Sequence, residues 1–97
     1  MLFRSWDAGI LSLQQNWALL QDAVENVSVQ NKTLIATQER SKIAQAQYSI
    51  GFVSFDNWTI IEDNLVKAKR TYLDAQEAAL LAEAKWIQAK GEVLEYE

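Results

Sequence analysis

The chain has 97 residues, of which 49% are hydrophobic and 23% charged, and its formal net charge is −4. This composition is typical of one small folded domain rather than a disordered segment. Cysteine, histidine and proline are all absent, which excludes disulfides, thiolate metal sites and the most common general base and metal ligand. The basic residues are scattered along the chain, whereas a nucleic-acid surface needs them concentrated. We therefore expect no nucleic-acid partner.

Catalytic and cofactor-binding patterns are also missing from the sequence. The serines have no histidine to activate them, and the neighbouring carboxylates Glu62 and Asp63 would point to different sides of a helix. The glycines stand far apart, so they cannot form a phosphate-binding loop. We expect no enzyme activity, no cofactor and no metal site.

Neither a transmembrane helix nor a signal peptide is predicted, because the apolar runs are only a few residues long. Residues 1–5, MLFRS, could come from an expression vector, and we give them no functional weight.

The first predicted helix covers about residues 10–48, a stretch rich in good helix formers. One line of residues follows a strict heptad: Leu13, Leu20, Val27, Leu34, Ser41 and Tyr48. A second, less apolar line is Trp17, Val24, Asn31, Gln38 and Gln45. The helix is unusually rich in Asn and Gln. Two interpretations remain open: an ordinary solvated face, or a surface that lines water or meets other helices through its amides.

A short connection follows at residues 49–53. Gly51 can adopt positive φ and end the first helix. Ser54 is a good N-cap for the next helix, and Asp56 in its first turn complements the helix dipole. The sequence therefore predicts a tight helix–turn–helix connection here.

The second predicted helix covers about residues 54–91 and has the clearer period. Alternating steps of three and four residues select only apolar or aromatic side chains, at Trp58, Ile61, Leu65, Ala68, Tyr72, Ala75, Ala79, Ala82, Trp86, Ala89, Val93 and Tyr96. Such a line is typical of a coiled-coil seam. Its five alanines allow a partner helix to approach closely.

Together these elements predict an all-α fold, a long antiparallel coiled-coil-like helical hairpin with arms of roughly 55 Å at 1.5 Å per residue. Two arms cannot cover every apolar line, so we expect exposed stripes and self-association of the chain. At the turn, Tyr48 and Trp58 are expected to pack across the hairpin and close its end. Phe52, Val53 and Phe55 have little core to enter, which suggests a partner at the tip.

The stretch QYSIGFVSFDNW and the helix after it resemble the periplasmic hairpin of TolC-like outer-membrane efflux proteins. The shared features are a Tyr-x-x-Gly-x-x-Ser/Thr turn at Tyr48, Gly51 and Ser54, Leu and Ala at heptad spacing, and Gly91 near the helix end. The resemblance covers residues 39–91, and less distinctly extends back to about Leu13.

The resemblance implies that residues 1–97 are one hairpin from the periplasmic α-barrel of a longer channel protein. That protein would be a homotrimer in the cell outer membrane, with this segment in the periplasm. Its tip would dock a periplasmic adaptor (membrane fusion) protein, which links the duct to an inner-membrane pump. The substrate, the adaptor and the pump are not implied.

By position in the family's turn, the implied adaptor-docking residues are Ile50, Gly51, Phe52, Val53 and Ser54. The implied residues of the pore end and tip packing are Tyr48, Asp56, Asn57 and Trp58. Family members often carry an acidic residue where this chain has Asn57, and sometimes a basic one where it has Val53. An ion-paired lock on the closed pore is therefore not implied here.

A second hypothesis belongs to another class: a stand-alone antiparallel coiled-coil module for protein–protein interaction. The parent sequence separates the two, because the duct hypothesis requires a second Tyr-x-x-Gly hairpin and strand-rich segments.

Overall fold

The computed structural model describes residues 2–95, and the side chains of residues 7–94. Helix α1 is Leu2–Ser49 and helix α2 is Phe55–Glu95. They pack side by side as an antiparallel hairpin measuring 73 × 15 × 14 Å. This confirms the predicted all-α helical hairpin. The length follows from α1 alone, because 48 residues at about 1.5 Å each span roughly 72 Å.

The contact between the helices follows the predicted seam of α2. Every described position of that line is buried or half-buried, from Trp58 to Val93, while Tyr96 lies outside the described residues. The most deeply buried apolar residues are Ala44, Ala75 and Ala89, at 2%, 5% and 4% exposure. Because alanines occupy these positions, the backbones come close and the core is a thin strip rather than a bulky interior.

On α1 only one of the two predicted lines faces α2. The line from Leu13 to Ser41 is half-buried or buried, as predicted, but Tyr48 at its end is 40% exposed. The second line, at Trp17, Val24, Asn31, Gln38 and Gln45, is exposed and lies outside the seam, in keeping with the expectation that two arms leave some apolar lines uncovered. The true second line is one residue earlier, at Asn16, Ala23, Gln30, Thr37 and Ala44.

Polar side chains in the α1 seam bond locally or across to α2. The Asn16 amide donates to the Ser12 carbonyl at 2.8 Å, and Thr37 Oγ1 donates to the Thr33 carbonyl at 2.7 Å. Because these donors bond within their own helix, a seam position can be polar without leaving a buried group unpaired.

Both helices continue beyond the predicted outer ends at residues 10 and 91. Gly9 lies inside α1, where an added Cβ would meet Val93 Cγ2 at 3.5 Å. Gly91 lies inside α2 with open space around the position of its missing Cβ. Glycine lowers helix propensity by only about 1 kcal/mol, which neighbouring turns and seam contacts outweigh at both sites.

Candidate docking tip and the surfaces beside it

The turn between the helices is a Schellman motif centred on Gly51. Gly51 has φ +83°, and its N–H donates to the Tyr48 carbonyl at 3.1 Å. The Phe52 N–H donates to the Gln47 carbonyl at 2.8 Å. These two bonds satisfy carbonyls that the end of α1 would otherwise leave free. The predicted role of Gly51 as the left-handed residue ending α1 is confirmed.

Ser54 caps the start of α2. Its hydroxyl accepts a hydrogen bond from the Asn57 N–H at 3.2 Å, and its carbonyl accepts one from the Trp58 N–H at 3.0 Å. Asp56 is the acidic residue in the first turn. With one helix capped at Gly51 and the next at Ser54, hydrogen bonds fix the backbone on both sides of a short connection.

Three aromatic rings close the hairpin directly behind this turn. Tyr48 of α1 stacks on Trp58 of α2, with ring centroids 5.3 Å apart and planes at 19°. Phe55 lies 6.2 Å from the Tyr48 ring and 5.9 Å from the Trp58 ring. The Trp58 indole N–H is buried and has no hydrogen-bond partner among the described residues. The cluster therefore supports the tip through ring packing, not through hydrogen bonds.

Two of the three apolar residues of the turn itself point into solvent. Phe52 is 79% exposed and Ile50 is 67% exposed, while Val53 is half-buried. An added Cβ on Gly51 would meet nothing within 4 Å. The tip is thus a fixed backbone presenting two large apolar side chains beside a glycine, an arrangement that can seat against another protein.

The predicted pore-end residues divide into two groups. Tyr48 and Trp58 contact each other and belong to the aromatic cluster, whereas Asp56 and Asn57 are exposed on the first turn of α2. Among the described side chains, the one ion pair is exposed, between Lys42 and Glu39 at 3.6 Å. Over residues 7–94, Asp56 therefore takes part in no ion pair.

At the other end of the hairpin, a second aromatic contact joins the helices. The Trp17 and Trp86 rings lie 5.1 Å apart at 48°, and Lys90 Nζ lies 5.4 Å from the Trp86 ring centroid. An open groove continues along this side of the hairpin, lined mainly by Leu20, Val24, Val27, Ala79, Leu80 and Glu83. The sequence indicated exposed aromatics here but not their pairing, because the heptad lines alone do not specify which side chains of the two helices meet.

A further exposed apolar line on α2 was missed by sequence reasoning. It comprises Val66, Leu73, Leu80, Ile87 and Leu94, each of them more than half exposed. The signal that could have revealed it is the seven-residue spacing of these side chains, each one residue after every second seam position from Leu65 to Val93.

No family model, curated protein or solved structure matches the chain. Over residues 2–95, neither helix is long and apolar enough to cross a membrane. The described part of the chain also brings together no group of three or more acidic side chains suited to a metal ion.

Proposed function

We propose that this chain is a wall and tip segment of a trimeric, TolC-like outer-membrane efflux or secretion duct. The turn docks a periplasmic adaptor protein, and the helices form part of the wall around substrates delivered by an inner-membrane pump. The observation that carries the proposal is the capped turn at Tyr48, Gly51 and Ser54, at the end of a rod 73 Å long. On this proposal the duct lies in the cell outer membrane and this segment in the periplasm.

The chemistry of the tip suits docking to another protein. Phe52 and Ile50 leave most of their surface in water, and burying an apolar side chain at an interface gains roughly 25 cal/mol per Å². Gly51 has no side chain, so a partner's backbone can come close between them. Ile50, Gly51, Phe52, Val53 and Ser54 form the proposed docking surface.

The exposed amides of α1 support the wall role. Asn31, Gln38 and Gln45 follow one another at heptad spacing on the outside of the seam, in the half of α1 nearest the turn. A helix in a tubular wall needs one face toward the water inside the duct. Uncharged amides provide such a face without a strong field for charged substrates.

The docking proposal is tested in the full-length channel that contains this hairpin. We expect Gly51→Trp and Phe52→Asp to leave trimer assembly intact, measured by native gel or sedimentation, while adaptor cross-linking and substrate efflux fall. Val29→Asp is the matched control, because Val29 is also an exposed apolar residue but lies on the shaft, and it should preserve efflux. Wild-type efflux and cross-linking in the two tip variants would refute docking at the tip.

An interaction module outside any duct is the second candidate. It is favoured by the seam itself, which is complete within one chain from Leu13 to Val93 and needs no barrel to form. The parent gene discriminates between the two functions: a second Tyr-x-x-Gly hairpin in it supports the duct, and its absence supports the module.

A further inference from the structure

The exposed apolar line of α2 becomes a complete second seam in the C-terminal part of the helix. We call Leu80, Ala84, Ile87, Gly91 and Leu94 the outer seam. Their spacing alternates between four and three residues, as in a coiled-coil interface. All five are exposed in the hairpin, so the outer seam is a packing surface that the described side chains, residues 7–94, leave uncovered.

Nothing within the hairpin requires a glycine at position 91. An added Cβ there would meet nothing within 4 Å, and its φ is not in the left-handed region. A glycine inside a helix is unfavourable by roughly 0.5–1 kcal/mol relative to alanine. A helix from another molecule packed against this position would use the missing side chain, because its own side chains could then approach the α2 backbone.

We propose that two copies of the chain pair antiparallel through their outer seams, about a two-fold axis between Lys85 and Trp86. In this register Leu80 faces Gly91 of the second copy, and Ala84 faces Ile87 of the second copy. The symmetry repeats both contacts, so each central layer sets a large side chain against a small one. At the two edges Leu94 faces Glu77 of the second copy, where the carboxylate stays in water.

Charge complementarity favours a second copy as the occupant and selects this register. Glu83 and Lys90 flank the outer seam on one side. In the proposed register Glu83 is level with position 88 of the second copy. Lys90 of that copy is two residues farther along, an axial offset of about 3 Å at 1.5 Å per residue. The symmetry makes two such pairs. A shift of one heptad brings either the two Glu83 carboxylates or the two Lys90 ammonium groups together, so both neighbouring registers are disfavoured.

The dimer proposal does not depend on the proposed duct function. A two-fold axis perpendicular to the rods directs the two turns to opposite ends, so Phe52 of each copy stays exposed. A three-fold duct contains no such axis, and the two proposals can therefore fail independently.

The first test is analytical ultracentrifugation of the full 97-residue chain. We expect a monomer–dimer equilibrium whose Kd rises at least about tenfold for Ile87→Glu, as for a central interface residue. Ile60→Glu is the matched control, because Ile60 is exposed at 57% and Ile87 at 55% on the same helix, but Ile60 lies outside the outer seam. Circular dichroism should show both variants fully helical. A wild-type chain that stays monomeric at about 1 mM, or forms trimers, or loses affinity equally in both variants, would overturn the proposal.

A charge exchange tests the register. Glu83→Lys and Lys90→Glu should each raise the dimer Kd by about threefold or more at low salt, because each single variant sets like charges together. An equal mixture of the two variants should restore dimerisation, since each then offers the charge that the other needs. Single variants that dimerise as well as wild type, or a mixture no stronger than its components, would contradict the proposed register.

Discussion

The Ser41 hydroxyl donates a hydrogen bond to Glu62 Oε1 at 2.5 Å, linking α1 to α2 across the hairpin seam. Ser41 is 7% exposed and Glu62 is half-buried. This bond occupies a position where the heptad line of α1 would otherwise place a large apolar residue. It ties the two helices together close to the tip, where the α1 seam contains few large side chains.

We predict a measurable coupling between these two residues. Ser41→Ala removes the donor and leaves the carboxylate with only water as a partner, so it should lower the free energy of unfolding by about 1–2 kcal/mol. Chemical denaturation of Ser41→Ala, Glu62→Ala and the double variant gives the coupling energy, because alanine at position 62 removes the acceptor. Additive effects of the two substitutions would show that the hydrogen bond contributes nothing in solution.

The register of α1 can be tested by adding one apolar side chain at two neighbouring positions. Gln30 is half-buried in the seam and Asn31 is exposed. Gln30→Leu should raise the free energy of unfolding by about 1 kcal/mol through added apolar burial. Asn31→Leu should change it by less than about 0.5 kcal/mol. The opposite order in urea denaturation would show that Asn31, and not Gln30, lies in the seam.

Because the buried indole N–H of Trp58 has no partner among the described residues, we expect the hairpin to tolerate the substitution Trp58→Phe. Trp58→Phe keeps a ring against Tyr48 while removing a donor that has no partner among the described residues. We expect the unfolding free energy to stay within about 1 kcal/mol of wild type. Trp58→Ala, which removes the stack, should cost about 2–3 kcal/mol. Equal losses in thermal melts of the two variants would show that the indole nitrogen is itself bonded.

Alanine substitutions at Gly51 and Gly91 should change the free energy of unfolding in opposite directions. Both are measured on dilute, monomeric protein. Gly51 has positive φ, so Gly51→Ala should destabilise the hairpin by about 1–2 kcal/mol, and Gly51→Asn by less. Gly91 is helical with open space around it, so Gly91→Ala should stabilise it by about 0.5–1 kcal/mol. A neutral Gly51→Ala variant would mean that the turn changes conformation in solution.

The sequence was sufficient to predict the hairpin, its turn and the α2 seam, because these depend on local signals. Gly51 and Ser54 mark a helix end and a helix start by their own backbone and hydrogen-bonding chemistry. The line from Trp58 to Val93 is apolar or aromatic at every position in both of its heptad rows, which the second apolar row of α2, from Val66 to Leu94, does not match along the whole helix.

The second line of α1 was not predictable from hydrophobicity. Trp17 and Val24 are more apolar than Asn16 and Ala23, yet the latter pair lies in the seam. Close helix packing selected small side chains, and local hydrogen bonds made the polar ones acceptable there. Trp17 instead lies beside the seam, where there is room for its ring against Trp86.

The most direct test of the central claim, that the turn is a docking surface, is a photo-cross-linking scan. The hairpin is placed in a TolC-like channel in exchange for its own, and a photoreactive residue is introduced at Phe52, at Ile50 or at the shaft residue Val29. We expect cross-links to the channel's cognate adaptor from Phe52 and Ile50 but not from Val29, and efflux that depends on the adaptor. Correctly assembled trimers that cross-link equally from Val29, or not at all from the tip, would contradict the account.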